Sequence, residues 1–318
     1  MTTSDELVLA HERDPAELRR ARRDGALERV RRGAYRPVPA DGTHASGPTA
    51  ATRLALARAT AVHRQLRSRH VFSHETAALL WGAPLWRAPD RVHVRVRSRP
   101  SGRSAPDVAR HTGLPTHERL LQDLPATDLL TTVVDCALTL PPLDALVVAD
   151  WALRAGMDRG RALALLAEPR RRNGTARARR VLAAADGGAE SAWETWARYL
   201  ALRAGLPPAV TQLPVQTPHT LYRVDLGWPE HRVLVEFDGR VKYTDGAFGR
   251  GYDADRVRFE DKVREDAITA TTGVRPLRLT ARDGVDPQRA TRLLLQQFGA
   301  DVVRSSRVDP LLPWPTRA

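Results

Sequence analysis

Cysteine occurs once in the 318-residue chain, at Cys136. A single thiol excludes an internal disulfide and any metal site built from cysteine thiolates. Lysine is nearly as scarce. Of 50 lysine and arginine residues, only Lys242 and Lys262 are lysine. An ammonium is a compact point charge that can give up its proton, whereas a guanidinium is planar and permanently charged. Two lysines retained in an arginine-saturated chain, both between 225 and 266, therefore single out that stretch as one that needs an ammonium. Long apolar runs are missing too. The most apolar stretch, 129–151, is broken by Asp135, Pro141, Pro142, Asp144 and Asp150, well short of the roughly 20 uninterrupted residues that span a bilayer. The first residues, MTTSDELVLAHERD, are polar and acidic, unlike a secretory leader. The expectation is a soluble cytoplasmic protein.

Positive charge is abundant. Fifty basic against 37 acidic residues leave a net charge of +13, which favours a polyanionic partner, nucleic acid first among them, over a general arginine bias. The length allows two or three domains with real cores. The ten histidines show no paired metal spacing on a common helix face. His74, His93 and His111 therefore read as surface or satisfied core residues.

Along the chain the expected class is α+β, in three domains and a tail. In 1–40, Asp14-Pro15-Ala16-Glu17 is a helix start, with Asp as cap and Pro in the first turn. The helix predicted to follow ends near Arg23, before Gly25. LERVRRGAYRPV (27–38) is a hairpin turning at Arg31-Arg32-Gly33. A helical segment ending in a basic helix and a basic hairpin is the outline of a winged helix, so Arg19, Arg20, Arg22, Arg23, Arg29, Arg31 and Arg32 are the expected DNA-binding residues. A linker at 41–48 leads to a middle α/β domain, 49–168. It has predicted helices over 52–67, 74–82, 127–140 and 143–155 and a strand at 92–96 whose apolar residues alternate. Residues 169–188 hold a dense arginine cluster, read either as a helix lying on nucleic acid or as an interdomain helix with a solvated face. The third domain, 189–300, runs helix, hairpin (221–239), glycine-rich loop (239–252), helix, strand (275–280), helix. The helix over 253–271 is assigned an apolar seam of Phe259, Val263, Ala267 and Ala270. The tail is 301–318, and its part from 305 to 318, with Pro310, Pro313 and Pro315, is expected to be irregular.

The chemistry concentrates in 189–300. Asp225 and Glu236 lie on the two strands of the predicted hairpin, where they can share a hard cation. Mg²⁺ takes oxygen ligands and retains water, and in such a site it orients a water and stabilises charge on a phosphodiester. A nearby lysine can hold that water or balance the developing charge.

On Val224-Asp225, Val235-Glu236-Phe237-Asp238-Gly239, FEDKVREDA (259–267) and GVRPLRLT (273–280), the segment resembles the PD-(D/E)XK nuclease superfamily and, within it, the family related to very-short-patch repair endonucleases. That resemblance implies a restriction-endonuclease-like α/β/α domain. It assigns Asp225 and Glu236 to a Mg²⁺ or Mn²⁺ ion and Glu194 or Glu190 to an assisting role. Asp238 stands where the pattern has lysine, which leaves Lys242 or Lys262 to supply the ammonium from elsewhere in space. The front half resembles the AbiEi-type antitoxins on ELRRARRDGALERVRRGAY (17–35) and more loosely on SHETAALLWGAP (73–84) and LPATDLLTTVVDCAL (124–138). This second likeness implies a winged helix that binds operator DNA. The implied partners are DNA, a second copy of the chain, and, through the operon only, a nucleotidyltransferase-type toxin. Two functions follow: a Mg²⁺-dependent DNA endonuclease, or an antitoxin-like autorepressor with a degenerate nuclease fold. An arginine salt bridge on Glu236 would favour the second.

Overall fold

The computed structural model describes residues 7–38, 48–98, 105–168, 173–238 and 254–316, with the backbone alone described at 48–49 and 254–258. The protein is mixed α+β with three sheets. It divides into two compact units, Met1–Cys136 and Ala137–Ala318, whereas the sequence pattern places its boundaries at 41–48 and 169–188. Among the described residues, no helix is long and apolar enough to cross a membrane.

The first unit opens with strand β1 (Val8–Leu9) and helix α1 (Pro15–Arg23), followed by the hairpin strands β2 (Leu27–Arg31) and β3 (Ala34–Pro37) in a sheet of order β1-β3-β2. The predicted cap is present: Asp14 Oδ1 accepts from the Ala16 and Glu17 N–H groups at 2.8 and 3.1 Å. The hairpin turns at Arg32-Gly33, where Gly33 takes φ +74°, a conformation that a side chain would strain. Helix α2 (Pro48–Gln65) lends Ala57 and Ala61 to the core beneath this sheet, beside Leu9, Val30 and Ala34. Its Ala59 and Val62 enter a second core with Phe72, Val94 and Ala126. One helix thus wedges two sheets, because residues two apart on a helix face nearly opposite ways.

That second sheet joins β4 (His70–Phe72), β5 (Val92–Val96), β6 (Val108–Thr112), β7 (Glu118–Leu121) and β8 (Leu124–Thr127) in the order β6-β5-β4-β8-β7. Helix α3 (His74–Leu80) follows β4, and α4 (Leu129–Thr139) follows β8. On β5 the predicted alternation holds: Val92, Val94 and Val96 are buried, while His93 and Arg95 lie on the other face.

In the second unit, α5 (Pro142–Arg154), α6 (Arg159–Leu166), α7 (Thr175–Ala184) and α8 (Ala192–Ala204) precede a sheet of β9 (Val210–Gln216), β10 (Leu221–Trp228), β11 (Val233–Asp238) and β12 (Leu277–Thr280). The order is β12-β11-β10-β9; β11 and β12 are parallel and are connected through α9 (Ala254–Thr272). Helices α10 (Pro287–Leu295) and α11 (Ala300–Ser305) complete the unit. Phe237 meets Trp193 and Trp196 of α8, whereas Leu234 packs with Ile268 of α9. Phe237 and Leu234 are three apart on one strand, so α8 and α9 cover opposite faces of the sheet. Leu312 and Pro313 are tied down: Leu312 is buried and the Tyr199 hydroxyl donates to the Pro313 carbonyl at 2.7 Å.

The apolar seam expected on α9 is corrected. Phe259 and Val263 are 68% and 46% exposed, and Ile268 is the buried residue. Beside Ile268, the helix is held by charged side chains that pair with the sheet and its flanks, Arg264 with Glu236 at 2.7 Å and Glu265 with Arg275 and Arg278 at 2.7 and 2.9 Å.

The helices of this unit meet at a buried ion pair. Arg198 Nη2 donates to both Asp150 oxygens at 2.7 and 2.6 Å, and Asp150 also accepts from Thr195 Oγ1 and the Asp186 N–H. Removing one partner leaves a charge stranded out of water, so Arg198→Ala should lose about 3–5 kcal/mol of unfolding free energy, while the double variant Asp150→Leu/Arg198→Met should lose less. Urea denaturation measures both. A double variant worse than the single would contradict this account of the pair.

Candidate functional site

Strands β10 and β11 pair Leu226 with Val235 in antiparallel register, so Asp225 and Glu236 are the next residues along the two strands. Helix α8 starts nearby with Ser191 as its cap, accepting from the Glu194 N–H at 3.1 Å. Glu194 consequently sits in the first turn, nine-tenths buried. Its Oε2 accepts from the Glu190 N–H at 2.8 Å and from Gln212 Nε2 at 3.0 Å. Asp225 Oδ2 accepts from the Phe237 N–H at 2.7 Å. Burial pushes the Asp225 carboxyl up to about 6; the Glu194 and Glu236 charges add to the rise, while the Phe237 N–H and Arg264 oppose it. Three carboxylates from three elements therefore act on one another.

The cation among them is a guanidinium. Arg264 of α9 donates through Nη2 to Glu236 Oε1 at 2.7 Å and to the Arg223 carbonyl at 2.7 Å, with its guanidinium 5.9 Å from the Tyr222 ring. Lys262 lies on the same helix, exposed, with no ion pair among the described residues. Lys242 and the glycine-rich loop fall outside the described residues. Asp238 ends β11, 3.9 Å from Arg278. By chemistry the donors suit Mg²⁺ or Mn²⁺, which favour carboxylate oxygen. One Glu236 oxygen, however, is committed to Arg264, and a guanidinium cannot release its proton to serve a water.

In the first unit Arg19, Arg20, Arg22 and Arg23 of α1, Arg29 of β2 and Arg32 of the turn are exposed. Nothing on α1 is buried, so its face is open. Arg22 lies over the Tyr35 ring, 5.4 Å from its centroid. Arg31 has a different role. Its Nε and Nη2 grip Asp107 at 2.8 and 3.1 Å, its Nη1 donates to Gln65, and its side chain is 9% exposed. The pairing holds the Asp107 carboxyl below the usual range.

Sequence reasoning missed a third cluster. His74, His93 and His111, read as unrelated, converge so that one ring nitrogen from each lies within 4.8 Å of the others. His74 opens α3, His93 is on β5 and His111 on the adjacent parallel β6, whose register sets His111 beside Arg95. The available signal was the alternation of VHVRV, which puts His93 on the face away from the valine core.

No family model matches the chain. Two curated proteins of Mycobacterium tuberculosis are similar to it, the uncharacterized proteins MT2308 (strain CDC 1551 / Oshkosh) and Rv2248 (strain ATCC 25618 / H37Rv). Each is 34% identical over 171 residues, which is 51% of this chain. The match spans 60% of the length of these relatives. Among solved structures, the M. tuberculosis protein RV2827C aligns over 57% of this chain and 72% of its own, at 20% identity and a TM-score of 0.35.

The elevated Asp225 carboxyl has a thermodynamic consequence. Its folded value of about 6 lies above the unfolded value of about 3.9, so the folded protein binds more protons between them. Stability is favoured below pH ~4 and lost as pH rises through ~6. Asp225→Asn keeps the acceptor for Phe237 and removes the charge. It should stabilise the protein by up to about 3 kcal/mol at pH 7.5 in chelator, a gain that vanishes near pH 4. Denaturation of both proteins across this range checks the sign; a variant less stable at pH 7.5 than at pH 4 relative to wild type contradicts it.

Proposed function

We propose that the chain is a DNA-binding regulator of the antitoxin type whose C-terminal unit keeps a nuclease-like build without cutting. The observation that carries this reading is the 2.7 Å bond from Arg264 to Glu236. In a metal-dependent nuclease the paired carboxylates hold a divalent ion that organises a water and the scissile phosphate. Here a fixed monovalent cation lies on one of them, and the lysine expected at Asp238 is absent. The order α8, β9, β10, β11, α9, β12, with helices on opposite sheet faces, is consistent with the restriction-endonuclease-like resemblance. For the DNA-binding role, support comes from the net charge of +13 and the exposed arginines of α1 and the β2–β3 hairpin. Arginine and backbone N–H groups on such elements position a protein on phosphates. The partners that follow are DNA, a second copy of the chain, and a toxin encoded beside it.

The mutual interaction of Asp225, Glu194 and Glu236 favours a second reading, the Mg²⁺-dependent endonuclease. A carboxyl held up to about 6 by burial and acidic neighbours is one that a divalent cation would relieve. The two readings part on plasmid, single-stranded and branched DNA with Mg²⁺ or Mn²⁺. The regulator leaves all three intact. Cleavage by wild type that Asp225→Asn and Glu236→Gln each abolish would establish the nuclease instead.

For binding, replacing Arg19, Arg20, Arg23 and Arg32 together by Ala should weaken duplex affinity and flatten its salt dependence, by up to about one unit of slope for each phosphate the protein ceases to neutralise. Arg31 stays out of the set because Asp107 and Gln65 hold it. An unchanged line of log K against log salt would reject the assignment.

A further inference from the structure

Three imidazoles brought together by separate segments form an arrangement that neither the DNA-binding nor the nuclease reading uses. His93 Nδ1 and His111 Nε2 are 3.1 Å apart, and the His74 ring lies 3.8 Å from that of His111. In a tetrahedral zinc site with Zn–N distances of ~2.0–2.1 Å, two ligand nitrogens lie about 3.3 Å apart. The His74 and His111 rings are stacked with 18° between their planes, so side-chain rotation is needed to aim their nitrogens at one centre. We infer that His74, His93 and His111 form a transition-metal site suited to Zn²⁺, with Glu75 as the acidic group that completes or orients it.

Three further observations support the site. First, Glu75 follows His74 directly, and its Oε2 lies 3.5 Å from His93 Nδ1 with the side chain 15% exposed. A largely buried carboxylate beside the imidazoles supplies the negative charge a divalent ion needs. Second, His74 is fixed from outside. Ser73 Oγ lies 2.9 Å from its Nδ1, and the Asp135 carboxylate lies 3.9 Å away. Asp135 is itself clamped by Arg95 Nη2 at 2.7 and 2.6 Å. Partners of this kind set ring orientation in metal sites. Third, His74 carries a left-handed backbone, φ +53°, an uncommon conformation for a residue with a side chain and one that persists where its surroundings enforce it. All-nitrogen donors with a neighbouring carboxylate favour Zn²⁺ over Mg²⁺, so the site is chemically distinct from the Asp225 carboxylates.

The test uses the full chain without a histidine tag, stripped with chelator. Zn²⁺ is titrated by calorimetry, and Co²⁺ is titrated as a coloured probe of tetrahedral nitrogen ligation. Binding of one Zn²⁺ per chain is expected, with a dissociation constant on the order of 10⁻⁷ M or tighter, unaffected by excess Mg²⁺ or by Asp225→Asn. His111→Ala and His93→Ala, with folding checked by circular dichroism, should each weaken it on the order of 100-fold, and Glu75→Gln by about tenfold or more. His117→Ala, outside the cluster, should bind as wild type does. A stripped wild-type chain that takes up no Zn²⁺ overturns the inference, as does Zn²⁺ affinity unchanged in both histidine variants. The wild-type titration needs no variant to fold, so the proposal can fail on that measurement alone.

Discussion

A carboxylate taken out of water must find a cation or give up its charge, and this arginine-rich chain supplies guanidinium almost everywhere. Asp150 is held by Arg198 between helices, Asp135 by Arg95 beneath the histidines, Asp107 by Arg31 behind the basic hairpin, and Glu236 by Arg264 at the carboxylate cluster. The planar fork of arginine allows bidentate contact; Asp150 and Asp107 are each met by two donor bonds from one guanidinium and Asp135 by three. The fold is thus pinned by charge at several points beside its apolar cores, α9 among them.

The same habit governs the candidate site. A composition with two lysines points to an ammonium among the carboxylates of β10 and β11, yet the cation found on Glu236 belongs to Arg264. A guanidinium neutralises and orients, but it cannot accept a proton or leave room as water does around Mg²⁺. Through the Arg223 carbonyl and Glu236, Arg264 ties strands β10 and β11 to helix α9. Asp225, with no cation bonded to it among the described residues, bears the residual cost as an elevated proton affinity.

Some of this is legible in the sequence because it is local. Asp14-Pro15 starts α1, Gly33 turns the hairpin, Ser191 and Gly205 bound α8, and the alternation of VHVRV and VLVEFD marks β5 and β11. The five-stranded sheet is mostly hidden. β4 has three residues, β8 contains Pro125 and runs straight into the helix that follows it, and the β4–β8 and β5–β6 pairings are parallel contacts between distant segments. The histidine cluster is invisible for the same reason: its members come from a helix start and two strands, and only the sheet aligns them. On α9 the periodicity of Phe259 and Val263 misleads, because the face that turns inward carries Ile268 and the paired Arg264 and Glu265.

The regulator proposal holds that Arg264, bonded to Glu236, keeps a divalent cation from the Asp225 and Glu236 carboxylates. Mn²⁺ titration followed by carboxyl ¹³C NMR tests it directly, since a paramagnetic ion broadens the groups that ligate it. The account predicts that the Asp225, Glu194 and Glu236 carboxyl signals persist in wild type with Mn²⁺ in several-fold excess over protein, and broaden once Arg264→Ala removes the guanidinium. Selective broadening of those three signals in wild type, saturating at one Mn²⁺ per chain, would contradict it.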